Sequence, residues 1–168
     1  MNLIFDLDLT LINSKIAEAN RNKRLWQSVY GQIPSFTAYD GMSDVLNHLK
    51  ENKIPYAIVT SSPGTYCKNV CTHWGFCQDY IVAYHDTKKR KPAPDPILLA
   101  IDKMKAKAET SLSFGDRDID IIASNAAGIK SVACLWGAED EKSLLSAKPT
   151  YVIKTPMEII PLIQKVFK

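Results

Sequence analysis

No apolar run in this chain approaches the ~20 residues that a membrane span requires, and no internal repeat or low-complexity linker divides it. Those absences argue against a membrane-embedded role and a repeat architecture. The 168 residues fit one domain with a single core of useful size. Excess charge is also lacking: a net +3 is too small to demand nucleic acid or a membrane surface as partner. The opening Met1-Asn2-Leu3-Ile4-Phe5-Asp6 has no basic segment before its apolar residues, so we expect no secretory leader and a cytoplasmic protein. Histidine is sparse, and the scattered His48, His73 and His85 receive no role. Cys67, Cys71, Cys77 and Cys134 are few and are expected as reduced thiols. A zinc site at Cys67, Cys71, His73 and Cys77 must be weighed. Cys67 and Cys71 are one helical turn apart beside Trp74 and Phe76, which favours the packed face of a helix.

What is present is an alternation of short β-type runs and helical stretches, the pattern of βαβ units around a parallel sheet. The runs are Leu3–Phe5, Tyr56–Val59, Tyr80–Tyr84, Ser111–Phe114, Ser131–Leu135 and a short edge run at Tyr151–Ile153. Their continuous apolar character suits strands buried on both faces. Helices are predicted from a cap at Asp40 through Lys50, from Ser62-Pro63 to Gly75, from Asp95-Pro96, from Asp118 to Gly128, and from Thr155-Pro156. The fold class is therefore α/β, a Rossmann-like three-layer parallel sheet, with residues 1–168 as one domain. Residues 13–37 form an insert after the first strand, with one helix from Lys15 to near Tyr30.

In open α/β sheets ligands bind beyond the carboxyl ends of the strands, near a switch point. Three such ends carry reactive side chains: Asp6 with Asp8, Thr60, and Asp116 with Asp120. Turn and cap duty explains any one of them, but it explains three together poorly. The four carboxylates would repel one another at one mouth, so they imply a cation, with Asp6, Asp8, Asp116 and Asp120 as candidate ligands. Oxygen ligands with no histidine nearby suit Mg²⁺ better than zinc. Thr60, the backbone N–H groups after it from Ser61 onward, and Lys91 can hold a phosphate. The set matches phosphoryl transfer, where catalysis is mostly positioning and charge neutralisation.

The resemblance to a family rests on four segments. Asp6-Leu7-Asp8-Leu9-Thr10 resembles the DxDxT motif of the haloacid dehalogenase superfamily, and Val59-Thr60-Ser61-Ser62 resembles its second motif. Lys91-Pro92-Ala93-Pro94-Asp95-Pro96 is similar to the third, and Gly115-Asp116-Arg117-Asp118-Ile119-Asp120 to the fourth, GDxxxD. Ala126-Ala127-Gly128-Ile129 and Trp136-Gly137 resemble the phosphoglycolate-phosphatase branch. The resemblance implies a Mg²⁺-dependent phosphatase in which Asp6 becomes an aspartyl phosphate. Asp8 protonates the leaving oxygen and then deprotonates water. Thr60, Ser61 and Lys91 bind the phosphoryl oxygens, with Lys91 also holding Asp6. Asp6, the Asp8 carbonyl and Asp116 hold the metal, while Asp120 acts through a metal-bound water or orients the lysine. Arg117 stands where this branch often has serine, and the bland reading of Asp118 is a helix cap.

Three rival functions are weighed. Carbon–halogen hydrolases of the superfamily lack the second Asp of the first motif and need no metal, so Asp8 and the acid cluster disfavour that chemistry. A phosphomutase would want a full cap. A silent binding or regulatory module sits poorly with every catalytic position being filled. The expected partner is a phosphorylated substrate, either a small molecule or an exposed phosphate on a larger one. Nucleic acid is disfavoured, since the run Lys88-Lys89-Arg90 reads as solvated surface. The insert is too short to enclose the site, so either the site is open and takes a bulky substrate, such as a polymer end or a phosphorylated macromolecule, or a second subunit of a homodimer completes the roof. Its charge favours the open site; Arg21, Lys23 and Arg24 could meet an anionic substrate, but a solvated helix face is the favoured account. Residues 15–30 should then be dispensable for hydrolysis of a small aryl phosphate.

Overall fold

The computed structural model describes residues 1–167. In chain order the strands are β1 (Asn2–Phe5), β2 (Tyr56–Val59), β3 (Ile81–Val82), β4 (Ser111–Gly115), β5 (Lys130–Cys134) and β6 (Tyr151–Ile153). They form one parallel sheet in the order β3-β2-β1-β4-β5-β6. The helices are α1 (Glu18–Asn22), α2 (Trp26–Gln32), α3 (Met42–Glu51), α4 (Gly64–Trp74), α5 (Asp95–Lys103), α6 (Asp118–Ala126), α7 (Glu141–Ser146) and α8 (Ile159–Val166).

The expected three-layer α/β fold is present, and the alternation of side chains along β1 explains why. Leu3 and Phe5 point to one face, where they pack with Val45 and Leu49 of α3, Val70 and Cys71 of α4, and Ile159 and Ile163 of α8. Ile4 points to the other face, against Ile97 and Ala100 of α5 and Ala123 of α6. Phe5 lies level with Ile58 of β2 and Phe114 of β4. The residues that follow these strands therefore emerge together, where the strand order reverses.

Several local expectations need correction. β3 is only Ile81–Val82, shorter than the apolar run suggested. Gly41, not Asp40, caps α3. Pro63, not Ser62, precedes the first turn of α4, which frees Ser62 for another task. α7 was not foreseen, although Asp140 caps it by accepting from the Ser143 backbone N–H at 2.9 Å.

The insert holds two short helices, α1 and α2, rather than one. α1 ends in a Schellman turn: Leu25 N–H donates to Asn20 O at 2.9 Å, and Arg24 N–H to Arg21 O at 2.9 Å. The left-handed position of that turn is Arg24, with φ +57°, where glycine is usual. The insert is also not merely a charged surface segment. Ala17, Val29, Ile33 and Phe36 are buried in the same core as Phe5 and Leu49. Residues 15–30 include Ala17 and Val29 of that core, so deleting them should cost stability.

Two glycines are set by close approach. A Cβ at Gly115 would lie 2.2 Å from Asp120 Cβ, and one at Gly137 would lie 1.8 Å from Leu9 O. Leu9 itself takes φ +66°, which costs a non-glycine residue about 1–2 kcal/mol. Among the described residues no helix is long and apolar enough to cross a membrane.

Candidate functional site

The mouth of the sheet is built by four segments. Asp6 follows β1 directly, and its backbone N–H donates to Phe114 O at 3.0 Å. Thr60 follows β2, tied by its N–H to Val82 O at 2.9 Å, and its hydroxyl accepts from Ser62 N–H at 3.0 Å. Asp116 follows β4. Asp120 lies in the first turn of α6, where its carboxylate accepts from the Arg117 N–H at 3.1 Å and so caps the helix. Lys91 reaches in from the segment before α5. These residues, with Ser61 and Asp8, line a cleft of about 530 Å³.

Lys91 is the hinge of the arrangement. Its Nζ donates to Asp6 Oδ1 and Asp120 Oδ1, each at 2.6 Å, and to Val59 O at 2.9 Å. Its side chain is only 3% exposed. Burial alone would lower its pKa, but Asp120 and Asp6 outweigh that and hold it above the ordinary lysine range.

Asp6, Asp116 and Asp120 each place one carboxylate oxygen within 4.8 Å of the others. Burial and the neighbouring carboxylates push Asp116 up to about 8; its hydrogen bond from Thr10 Oγ1, at 2.7 Å, works the other way. Burial also raises Asp6, to about 6, with Lys91 opposing it. Asp116 Oδ2 is buried and has no hydrogen-bond partner among the described residues. A buried acceptor of this kind is costly unless something meets it. An oxygen-seeking divalent cation fits this site, since the donors are all carboxylate oxygens.

The sign of the pH dependence follows. Two carboxyl groups whose pKa is raised by folding stabilise the protein fully below their ordinary range, near 3.8. That stability is lost as pH climbs through about 6 and then about 8. Metal-free protein should therefore lose thermal stability between pH 5 and pH 8.5. Mg²⁺ at about 100 times its Kd should restore about 2.7 kcal/mol, or roughly 5–10 °C, at pH 8.5 and much less at pH 5. Melting curves with Mg²⁺ or chelator check this, and equal shifts at both pH values would refute it.

Asp8, two residues from Asp6, lies outside the three-carboxylate group. Its Oδ1 accepts from Ser14 Oγ at 2.7 Å, from Tyr66 Oη at 2.6 Å and from the Arg21 guanidinium, while Oδ2 accepts from Ser62 Oγ at 2.9 Å. Arg21, expected on a solvated face, is thus turned into the site with a side chain 12% exposed. Ser14 and Tyr66 carried no signal in the sequence, and Ser62 was read there only as a helix cap and as part of the second motif. His85, given no role, and the insert's Trp26 line the same cleft. Asp118 accepts from Ser143 Oγ at 3.0 Å and from the adjoining Ile119 N–H; Arg117, not Asp118, is the cap residue of α6. The Cys67 and Cys71 thiols lie 4.0 Å apart in the core, and their hydrogen bond, then burial, push Cys67 up. Among the described residues only Asp6, Asp116 and Asp120 gather as a potential metal group, so Cys67, Cys71, His73 and Cys77 form no such cluster.

Fold and site together place the chain among Rossmann-like α/β proteins with an acidic centre at the switch point. More narrowly, it belongs to the haloacid dehalogenase-like hydrolase family, whose model matches residues 17–134. It is 28% identical over 129 residues to a pyrophosphatase PpaX from Oceanobacillus iheyensis, covering 76% of this chain and 60% of that one. It is 28% identical over 152 residues to a phosphoglycolate phosphatase from Pectobacterium atrosepticum, covering 88% and 64%. The chain thus spans under two thirds of the length of both relatives. In structure it is similar to a hydrolase from Pseudomonas syringae, with a TM-score of 0.81, 20% identity and 98% of each chain covered.

Proposed function

We propose that this chain is a Mg²⁺-dependent phosphatase that hydrolyses a phosphate monoester through an aspartyl phosphate on Asp6. The observation that carries the reading is the buried Lys91 clamped between Asp6 and Asp120, beside an Asp116 oxygen that lacks a partner. The names of the relatives, a pyrophosphatase and a phosphoglycolate phosphatase, favour the same chemistry and a small anionic substrate.

Lys91 occupies Asp6 Oδ1, so Oδ2 is the oxygen that attacks phosphorus. The Thr60 hydroxyl and the backbone N–H of Ser61 receive the phosphoryl oxygens, while Lys91, whose three N–H groups are taken by Asp6, Asp120 and Val59, draws them by its charge. Asp8 protonates the leaving oxygen, then takes a proton from the water that cleaves the acyl phosphate and regenerates Asp6. Mg²⁺ held by Asp6, Asp116 and the Asp8 carbonyl, with Asp120 behind it, would neutralise the charge crowded between carboxylates and phosphate. Asp120 reaches the reaction through Lys91, which it orients.

Residues 13–37 act as a reduced cap that roofs one side of the cleft. The four free cysteines suit the reducing cytoplasm. Inorganic phosphate should be released from 4-nitrophenyl phosphate with Mg²⁺, stop in excess chelator, and slow when Ca²⁺ replaces Mg²⁺. Undiminished turnover in chelator would refute the proposal.

A further inference from the structure

The insert lines the cleft with the charged side chains Glu18, Arg21 and Arg24, and of these Arg21 bonds to Asp8 rather than to the phosphate-binding residues. The Arg21 guanidinium meets the Asp8 carboxylate, donates to Ser14 Oγ at 2.6 Å and lies 3.3 Å from Tyr66 Oη. The Asp8 carboxylate thereby sits in a cradle of four donors from separate segments: Ser14 before α1, Arg21 on α1, Ser62 after β2 and Tyr66 on α4. Arg21 and Asp8 are 12% and 15% exposed, so water screens the pair little.

α1 cannot drift freely. Ala17 just before it is fully buried, and Val29 of α2 and Ile33 are buried in the main core. The Trp74 indole N–H donates to Ile33 O at 3.3 Å. Lys15 pairs with Glu18 of α1 at 2.5 Å and also with Glu139 on the core side of the cleft. The insert is thus seated on the core at several points, and Arg21 projects from that seat.

We propose that Arg21 is a positioning residue: from the reduced cap it fixes the Asp8 carboxylate at the height where Asp8 serves the leaving oxygen. This rests on Asp8 being the acid–base group. A carboxylate accepting four hydrogen bonds has one orientation, and its lack of freedom is what general acid–base catalysis needs. Without Arg21 the same carboxylate has the neutral donors Ser14, Ser62 and Tyr66 and can turn toward the Asp6–Asp116–Asp120 group. The small cap would then earn its place by holding one core residue, a task that one short helix can perform without enclosing the site.

The test compares two substrates by kcat/KM, which reports events through phosphoryl transfer. An alkyl phosphate needs its leaving oxygen protonated, whereas 4-nitrophenyl phosphate leaves as a stable phenolate and needs far less help. Arg21→Gln should lower kcat/KM about a hundredfold on the alkyl ester, the order expected for a misplaced catalytic group. The loss on the aryl ester should be several-fold at most. Arg21→Lys should recover part of the alkyl activity. Arg21→Met, of similar length, carries the same test should the Gln variant fail to fold. Equal losses on both esters, or a rise in KM alone, would overturn the proposal and make Arg21 structural or substrate-binding. Asp8→Asn is measured beside them. If Asp8→Asn discriminates between the esters and Arg21→Gln does not, the positioning role fails alone. If Asp8→Asn hits both esters equally, the acid role of Asp8 fails and takes the proposal with it.

Discussion

Asp6→Asn should abolish phosphate release, by at least about a thousandfold, while the protein remains folded. Asparagine keeps the shape and can still accept from Lys91 through its carbonyl oxygen, but it offers no anionic oxygen to phosphorus. The backbone of this position is fixed independently of the side chain, through its N–H bond to Phe114 O. The change also removes one of three crowded carboxylates, and Asp116 feels Asp6 as its strongest charged neighbour. Metal-free Asp6→Asn should therefore be no less stable than the parent protein at pH 8, although it is inactive. A rapid-quench search for acid-stable phosphoprotein should find label on the parent chain only. Wild-type turnover in the variant, or phosphoprotein formed on it at the normal rate, would defeat the assignment of Asp6.

What could be read from the sequence was what depends on backbone continuity. The runs ending at Asp6, Thr60 and Asp116 are buried parallel strands. A strand leaves its last side chain at the rim of the sheet wherever the chain lies in sequence. Residues 6, 60 and 116 could thus be brought together before any geometry was known. Lys91 could be named by its charge as a phosphate holder, but its hold on Asp6 came only with the resemblance, because it lies in an irregular segment whose path no periodicity dictates. The Asp8 cradle was hidden for a different reason. Ser14 and Arg21 are seven positions apart, about two helical turns, so helical geometry can put them on one side. Nothing in a run of Arg, Asn, Lys and Arg distinguishes the inward residue from the solvated ones. The insert's division was concealed because Arg24 holds the left-handed turn that glycine usually marks. α7 had its capping aspartate in view at Asp140, but its six residues were too few to reveal an apolar period.

The largest loss of stability should come from Lys91→Met, which keeps the volume of the side chain and removes its charge. Lys91 is the only cation bonded to Asp6 and Asp120 among the described residues, and it is buried with them. Breaking a buried ion pair by removing one partner typically costs 3–5 kcal/mol, because the other charge is left without compensation. At about 2–4 °C per kcal/mol for a chain of this size, the melting temperature should fall by roughly 6–20 °C. The loss must depend on pH. Asp6 and Asp116 are raised to about 6 and about 8 even with Lys91 opposing, so without the ammonium both resist ionising further and the cost of charging them grows with pH. At pH 5 those two carboxyls carry protons and the penalty should shrink. Mg²⁺ should return part of the stability at pH 8, because it supplies positive charge to the same oxygens. It should not return activity, since the transferring phosphoryl group has lost a neighbouring positive charge and Asp6 its clamp. Urea or thermal unfolding of parent and variant at pH 5 and pH 8.5, each with Mg²⁺ or chelator, separates charge from packing. An identical loss in all four conditions would mean that the lysine stem, rather than its charge among the carboxylates, is what the fold requires.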